Sequence, residues 1–581
     1  MHGKTRKSKS NPLLHYIVKC PNPASHLFEI TLKVTEERDF FIFQLPNWTP
    51  GSYTLRDYSS HIHRLKAIID NDEIPLEHLS LDSFRVYSNH KPFQIEYTVY
   101  AFEFSVRTNY LSSEYGFINP CGFFFYPHNE LNRKVKIEFH TEKIFPAVYS
   151  GLKKEKNFSF IANTFDELYD SPFQLSHKKP SSFIAGACKH QLLIEGEIPD
   201  SKKKEVLQDL KIICEYETEL MGENPNKEYL FILHLRPDAY GGLEHSNSSV
   251  NAYSPYKLFK KEDYNRLLGL LAHEYFHLWN IKRIRPIELG PFDYQSPNLT
   301  ENLWIAEGIT SFFDNFIIMK CGFLSPEDYL KEIYSDIERL ENSGEDWMSL
   351  SESSFTAWNK FYKQQANSHN TGISYYVKGA ILSLCMDIRI RKESRSQIDL
   401  STVMKAIYKE YYLKYNRGFT RDEFFKTARS VTGINLQREF ENYITKKIPI
   451  PVYNYLEYIG VGIKEEDKKL DLSFTLQDEK EKLLIQKTFL KKLDKADLYA
   501  GDELLAINGY RLRSASDLDK IKPILEAEEQ KELYLLLSRN DKIREVKIKT
   551  QYKKTKNLCL LQELSLGSKR LQEAFFKQWT G

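Results

Sequence analysis

The chain has 581 residues, more than one hydrophobic core accommodates, so about three or four domains are expected. Lysine plus arginine, 81, nearly balances aspartate plus glutamate, 79, and the net charge of +2 gives no electrostatic reason to expect nucleic acid or an anionic membrane as partner. Apolar residues at 41% and charged residues at 28% exclude disorder as the main state, and 14% aromatics point to β-rich regions. The seven cysteines are scattered, odd in number and without a C-x-x-C pair, which argues against a disulfide framework and a thiolate zinc site.

The first segment, MHGKTRKSKSNPLL, is basic but lacks the apolar core of a secretory signal. No apolar run approaches the ~18 residues of a membrane span, so a cytoplasmic protein is expected, with residues 1–14 as a disordered basic tail. From residue 15 to about 185, short alternating or β-branched runs such as YIVK, HLFEITLKV, DFFIFQLPNW and PFQIEYTVYAF predict an antiparallel β domain, sandwich-like or saddle-like. Within it WTPGSYTLRDY carries a Pro50-Gly51 pair that turn chemistry alone explains.

Residues 186–448 change to longer amphipathic segments. SKKKEVLQDLKIICEYETELMG reads as a helix closed by Gly222, and EYLFILHLR as a strand. Gly241-Gly242-Leu243-Glu244-His245 follows, either a plain glycine turn or a strand end whose carboxylate meets a bound cation. A helix from Glu262 to about Lys282 then carries His273-Glu274-Tyr275-Phe276-His277 in an apolar run, with Pro286 beyond it. Residues four apart share a helix face, so His273 and His277 would offer two imidazoles to one point with Glu274 beside them, an arrangement suited to zinc and its water.

Three fixed positions also fit an ordinary surface helix, so the third ligand decides. Thr300 is read as the N-cap of the next helix, which places Glu307 among Trp304, Ile305, Ile309, Phe312, Phe313 and Phe316. A carboxylate in that company needs a cation, and an antiparallel helix pair would bring it to the two histidines, leaving a fourth position for water. Another helix is expected over Thr371 to Arg391, starting near Tyr375 and Tyr376, whose hydroxyls suit a core edge or a transition-state donor equally. Thr420 and Glu423 form a capping box, and KIPIPVYNY reads as an extended linker. Residues 453–550 read as a compact β-rich domain, and 551–581 as a tail, basic and then helical.

HEYFHLWNIKRIRP, LWIAEGITSFFDN, GGLEHSNS and YYVKGAILSLCMDIRIR, with WTPGSYTLRDY and FEFSVRTNYLSSEYGF nearer the N-terminus, resemble the glycyl aminopeptidase family of zinc metallopeptidases across nearly the whole chain except the tails. The resemblance implies a multidomain α+β fold: an N-terminal antiparallel β domain, a thermolysin-like, mostly α-helical catalytic domain, and a C-terminal PDZ-like β domain in which GDELLAINGYRL looks like the core. It implies one zinc ion on His273, His277 and Glu307, and Glu274 as general base. Glu244 would hold the substrate amine on a strand shared with Gly241, Gly242 and His245, where many larger relatives have asparagine in place of the histidine. Tyr376 matches the oxyanion donor, with Tyr375 as the competing candidate. The function implied is removal of small N-terminal residues, glycine or alanine, from peptides with a free N-terminus, with a peptide or protein ligand for the PDZ-like domain. A zinc endopeptidase and a non-catalytic peptide-binding scaffold are the alternatives.

Overall fold

The computed structural model describes residues 13–493, 496–528, 531–560 and 574–581. Most of the basic N-terminal tail and the first part of the C-terminal helical tail lie outside the described residues. The chain forms two compact units, one built chiefly from residues up to Thr300, the other chiefly from Leu324–Leu400 and Ala428–Gly581.

Period-two alternation builds the N-terminal sheets of the first unit. Leu14–Lys19 buries Leu14, Tyr16 and Val18 and turns the residues between them outward. It lies within an eight-stranded sheet beside Leu27–Val34 on one side and Val135–Phe139 on the other. The second pairing is parallel, Leu14 facing Val135, so the expected purely antiparallel domain is corrected to a mixed one. A parallel neighbour needs a long connection, and the intervening chain supplies strands of two smaller four-stranded sheets. An aromatic core including Phe28, Phe43, Phe123, Phe124 and Phe173 joins them.

A five-stranded sheet follows, in spatial order Ser181–Ala185, Cys188–Glu195, Glu228–Leu235, Ser248–Tyr253 and Tyr240–Glu244. Its three central strands are parallel, and both edge strands are antiparallel to their neighbours. The helix Asp200–Met221 links the first two parallel strands and ends on Gly222 in the left-handed conformation, as the sequence predicts.

The helix Lys261–Phe276 packs antiparallel on Ile309–Lys320. Asn265 Nδ2 donates to Phe323 O at 3.0 Å, His273 Nδ1 lies 3.0 Å from Asp314 Oδ2, and the Phe276 and Phe313 rings stand 4.7 Å apart. The first helix stops at Phe276, with His277 as its C-cap, rather than running to Lys282. Thr300 does not cap the second. A π-helical turn, Trp304–Gly308, precedes Ile309–Lys320, and the Thr300 hydroxyl donates to Glu288 instead.

In the second unit the Tyr375–Ser394 helix begins at an N-cap on Ser374 and is buried along most of its length. Residues 452–458, expected as extended linker, form a helix behind Pro451, which suits a helix entry. Beyond it, Phe474–Glu479, Lys482–Thr488, Glu503–Ile507, Glu532–Arg539 and Lys542–Lys549 form one sheet with a leucine-rich core, and Ala515–Ala527 is its helix. Gln551–Leu560, expected within the tail, is a strand paired antiparallel with Val461–Asp471. Residues 574–580 are helical, and Trp579 is fully buried with its indole N–H donating to Asp387 Oδ2 at 3.2 Å. None of the described helices is long and apolar enough to cross a membrane.

Candidate active site

His273 occupies the last turn of its helix, and His277, as C-cap, keeps right-handed helical geometry at φ −60° and ψ −17°. The two rings therefore remain neighbours, 4.6 Å apart and nearly perpendicular. Each ring has its Nδ1 engaged. That of His273 meets the Asp314 carboxylate at 3.0 Å, and that of His277 meets Asn280 O at 2.8 Å. Partners of this kind orient an imidazole and set which ring nitrogen is presented to a metal. Burial pushes the Asp314 carboxyl above its ordinary value, and the hydrogen bond with His273 pulls the other way.

Glu307 is buried on the π-helical turn. One ligand atom each from His273, His277 and Glu307 lies within 4.8 Å of the others. Two imidazole nitrogens and a carboxylate oxygen form a donor set that fits zinc. Glu244, Glu274 and His277 form a second set within the same 4.8 Å limit. Burial pushes the carboxyl of Glu217, wholly buried on the Asp200–Met221 helix, well above its ordinary value, and nearby His273 pulls the other way.

The strand Tyr240–Glu244 sits at the edge of its sheet. Gly242 has no side chain because Glu274 occupies that space: a Cβ there would fall 2.0 Å from Glu274 Oε1. Arg107, from the N-terminal region, donates to Gly242 O at 2.9 Å. Glu244 is only 4% exposed. A Cβ on Gly51 would fall 2.5 Å from its carboxylate oxygens. Among the described residues no hydrogen bond or ion pair reaches that carboxylate. Gly51, read above as plain turn chemistry, is therefore also the wall over Glu244.

His245 behaves differently from its neighbour. Its Nδ1 lies 3.2 Å from Asp170 Oδ1, and it is not on the cavity wall that carries Glu244. Burial would raise the Asp170 carboxyl, but Lys282 at 2.6 Å and His245 hold it well below its ordinary value.

Tyr375 and Tyr376 separate by exposure. Tyr375 is wholly buried, with its phenol pushed far above the usual range by burial, whereas Tyr376 is partly exposed. Tyr362 lies between their hydroxyls, 3.1 Å from Tyr375 and 3.0 Å from Tyr376. Of these supporting residues, Asp314 left the clearest trace in the sequence: a carboxylate seven residues after Glu307, two helical turns on and on the same face. Asn280, which acts through its backbone carbonyl, and Arg107 and Tyr362 left none.

Comparisons with known proteins define the class as a peptidase. The M61 glycyl aminopeptidase model matches residues 266–382, and the model of the M61 peptidase N-terminal domain matches residues 15–177. Both matches bear out the resemblance to the glycyl aminopeptidase family that the sequence motifs carry. The crystal structure of an aminopeptidase N family protein from Idiomarina loihiensis is similar over 98% of this chain and 100% of that one, with 26% identity and a TM-score of 0.90. An M1 zinc metallopeptidase from Deinococcus radiodurans aligns over 76% of this chain and 95% of that one, at 11% identity and TM-score 0.46. Legionella pneumophila aminopeptidase A in complex with aspartic acid aligns over 96% and 58%, at 12% identity and TM-score 0.47. No curated protein matches.

Proposed function

We propose that the protein is a zinc-dependent aminopeptidase that removes N-terminal residues, small ones such as glycine and alanine among them, from peptides. One observation carries this reading: the buried Glu244 carboxylate, with no partner of its own among the described residues, within 4.8 Å of Glu274 and His277. An unpaired buried carboxylate is costly unless a cation arrives, and a peptide's terminal ammonium is that cation.

His273, His277 and Glu307 would hold one zinc ion, which when bound supplies Lewis acidity at the scissile carbonyl and acidifies water. The chain's own residues do the rest. Glu244 accepts hydrogen bonds from the substrate amine and fixes which peptide bond is presented. The edge strand Tyr240–Glu244 offers its free side to the extended substrate, with Gly241 and Gly242 leaving room for it. His245, tied to Asp170, braces the end of that strand. Glu274 takes a proton as water oxygen bonds to the carbonyl carbon, then delivers it to the leaving nitrogen as the C–N bond breaks. Tyr376 donates its hydroxyl to the carbonyl oxygen as charge develops there.

The catalytic domain is proposed to be thermolysin-like and to span residues 186–448, behind an N-terminal β domain of 15–185. Residues 453–550 are proposed to be a PDZ-like domain able to take an extended peptide or protein ligand. Its edge strand Phe474–Glu479 and its helix Ala515–Ala527 support that reading. All seven cysteines are free, which supports a cytoplasmic location.

The test is metal analysis of the purified protein with turnover of glycyl and alanyl fluorogenic substrates, with and without chelator. Zinc at one equivalent and chelator-sensitive release are expected. Cleavage of N-blocked peptides in preference to free ones would make it an endopeptidase, and metal without turnover would leave a peptide-binding scaffold.

A further inference from the structure

A cavity of about 550 Å³ opens beside Glu244, with Trp48, Gly51, Asp170, Lys282 and Arg285 in its walls. Pockets of that size take a whole small ligand, and the methyl group of alanine fills little of it. Most of its charged groups already have partners. Asp170 accepts from Lys282 at 2.6 Å and from Ser246 N–H at 2.9 Å, and it also meets His245. The Arg417 guanidinium forks onto Glu423 at 2.7 and 2.9 Å. Arg283 donates to Leu278 O and to Asn226 Oδ1. Asp166 accepts from the Tyr294 hydroxyl at 2.7 Å, and Glu167 from Asn163.

Two charged groups in these walls stand apart, the Glu244 carboxylate and the Arg285 guanidinium. Among the described residues neither takes part in a hydrogen bond or an ion pair through its charged group, and they are not paired with each other. The Arg285 guanidinium is held in place. Its Cζ is 5.7 Å from the centre of the Phe292 ring, and it rests against Gly290, where a Cβ would fall 2.4 Å from Cζ. Burial pulls its pKa down, with Asp166 opposing, which marks a cation poorly compensated by its surroundings. A fixed, planar, unpaired guanidinium is suited to bidentate recognition of a carboxylate.

We infer that this cavity receives the side chain of the substrate's N-terminal residue and that Arg285 selects a carboxylate there, so aspartyl and glutamyl peptides are substrates beside those with small residues. The inference rests on the aminopeptidase reading, because the amine on Glu244 is what directs the first side chain into the cavity.

The experiment compares Glu-Ala-Ala with the isosteric, neutral Gln-Ala-Ala, and with Gly-Ala-Ala, on the metal-loaded full chain. It also measures binding of free L-glutamate and L-glutamine by calorimetry. In the native protein kcat/KM for the glutamyl peptide is expected to exceed that for the glutaminyl peptide by about tenfold or more, as a charge-assisted bidentate pair allows. Arg285→Gln should bring that ratio close to one, and Arg285→Lys should keep part of it. Cleavage of Gly-Ala-Ala with no glutamyl preference, and equal binding of the two free amino acids, would overturn the subsite and leave the aminopeptidase reading intact. A glutamate preference in binding that Arg285→Gln abolishes, with no peptide cleaved, would keep the subsite and overturn the aminopeptidase reading. Should Arg285→Gln fail to fold, the native comparison and Arg285→Lys decide.

Discussion

The Tyr362 hydroxyl lies 3.0 Å from that of Tyr376 and 3.1 Å from that of Tyr375, so one phenol braces both members of the tyrosine pair. Because Tyr375 is wholly buried and Tyr376 is not, Tyr376→Phe should lower kcat by about 100-fold, the usual effect of removing one oxyanion donor. Tyr375→Phe should cost far less. Tyr362→Phe should lower kcat several-fold with KM little changed, since in the proposed mechanism it orients the Tyr376 hydroxyl without touching substrate. Steady-state kinetics of the three variants checks this. Equal losses in all three would assign the cluster to structure.

Asp314 engages His273 at Nδ1. Asp314→Asn should weaken metal affinity about 10- to 100-fold, read by competition with a chromogenic chelator. Added metal should restore most activity. Unchanged affinity would remove Asp314 from the support of the site.

In the proposed mechanism Glu274 and Glu244 divide chemistry from recognition. Glu274→Gln should keep metal and lose hydrolysis by about 100-fold or more. Glu244→Ala should damage cleavage of free-amine substrates far more than of N-acetylated ones. Parallel loss on both substrate types would count against an amine site.

Gly51 abuts the Glu244 carboxylate from a left-handed backbone conformation, φ +84°. Gly51→Ala brings both strain and a clash, so a loss of about 1–3 kcal/mol is expected in denaturant titrations. KM for free-amine peptides should rise as well, because Glu244 is the group displaced.

Acid should weaken the fold through buried histidines. His190 is fully enclosed, and burial lowers its pKa from 6.5 to about 4, its ring meeting the Tyr275 hydroxyl at 2.8 Å. The unfolded chain therefore takes up this proton first as pH falls through 6.5, and stability should drop between pH 6.5 and about 4. Urea midpoints across that window check the sign. A flat profile would show His190 protonated without penalty.

Local signals carried the parts of the molecule that could be read in advance. The Asp200–Met221 helix with its Gly222 cap and the Thr420/Glu423 capping box depend on residues within a turn or two, and both form as expected. His273, Glu274 and His277 were legible for the same reason, their spacing being a property of one helix. The end of that helix, the π-helical turn under Glu307, the helix at 452–458 and the strand at 551–560 depart from expectation because tertiary contacts outweigh local preference at such places.

The amino-acid sequence by itself determined the chemistry on offer: two imidazoles and a carboxylate on one helix, a second carboxylate on the next, and a third following a pair of glycines. Only the tertiary structure decided what surrounds them. Asp314 reaches His273 across 41 residues, and Arg107 reaches Gly242 across 135. Gly51 roofs Glu244, and Arg285 is left unpaired in the cavity beside it. Such meetings follow from strand order and helix packing, which bring together residues that no periodicity or spacing along the chain relates.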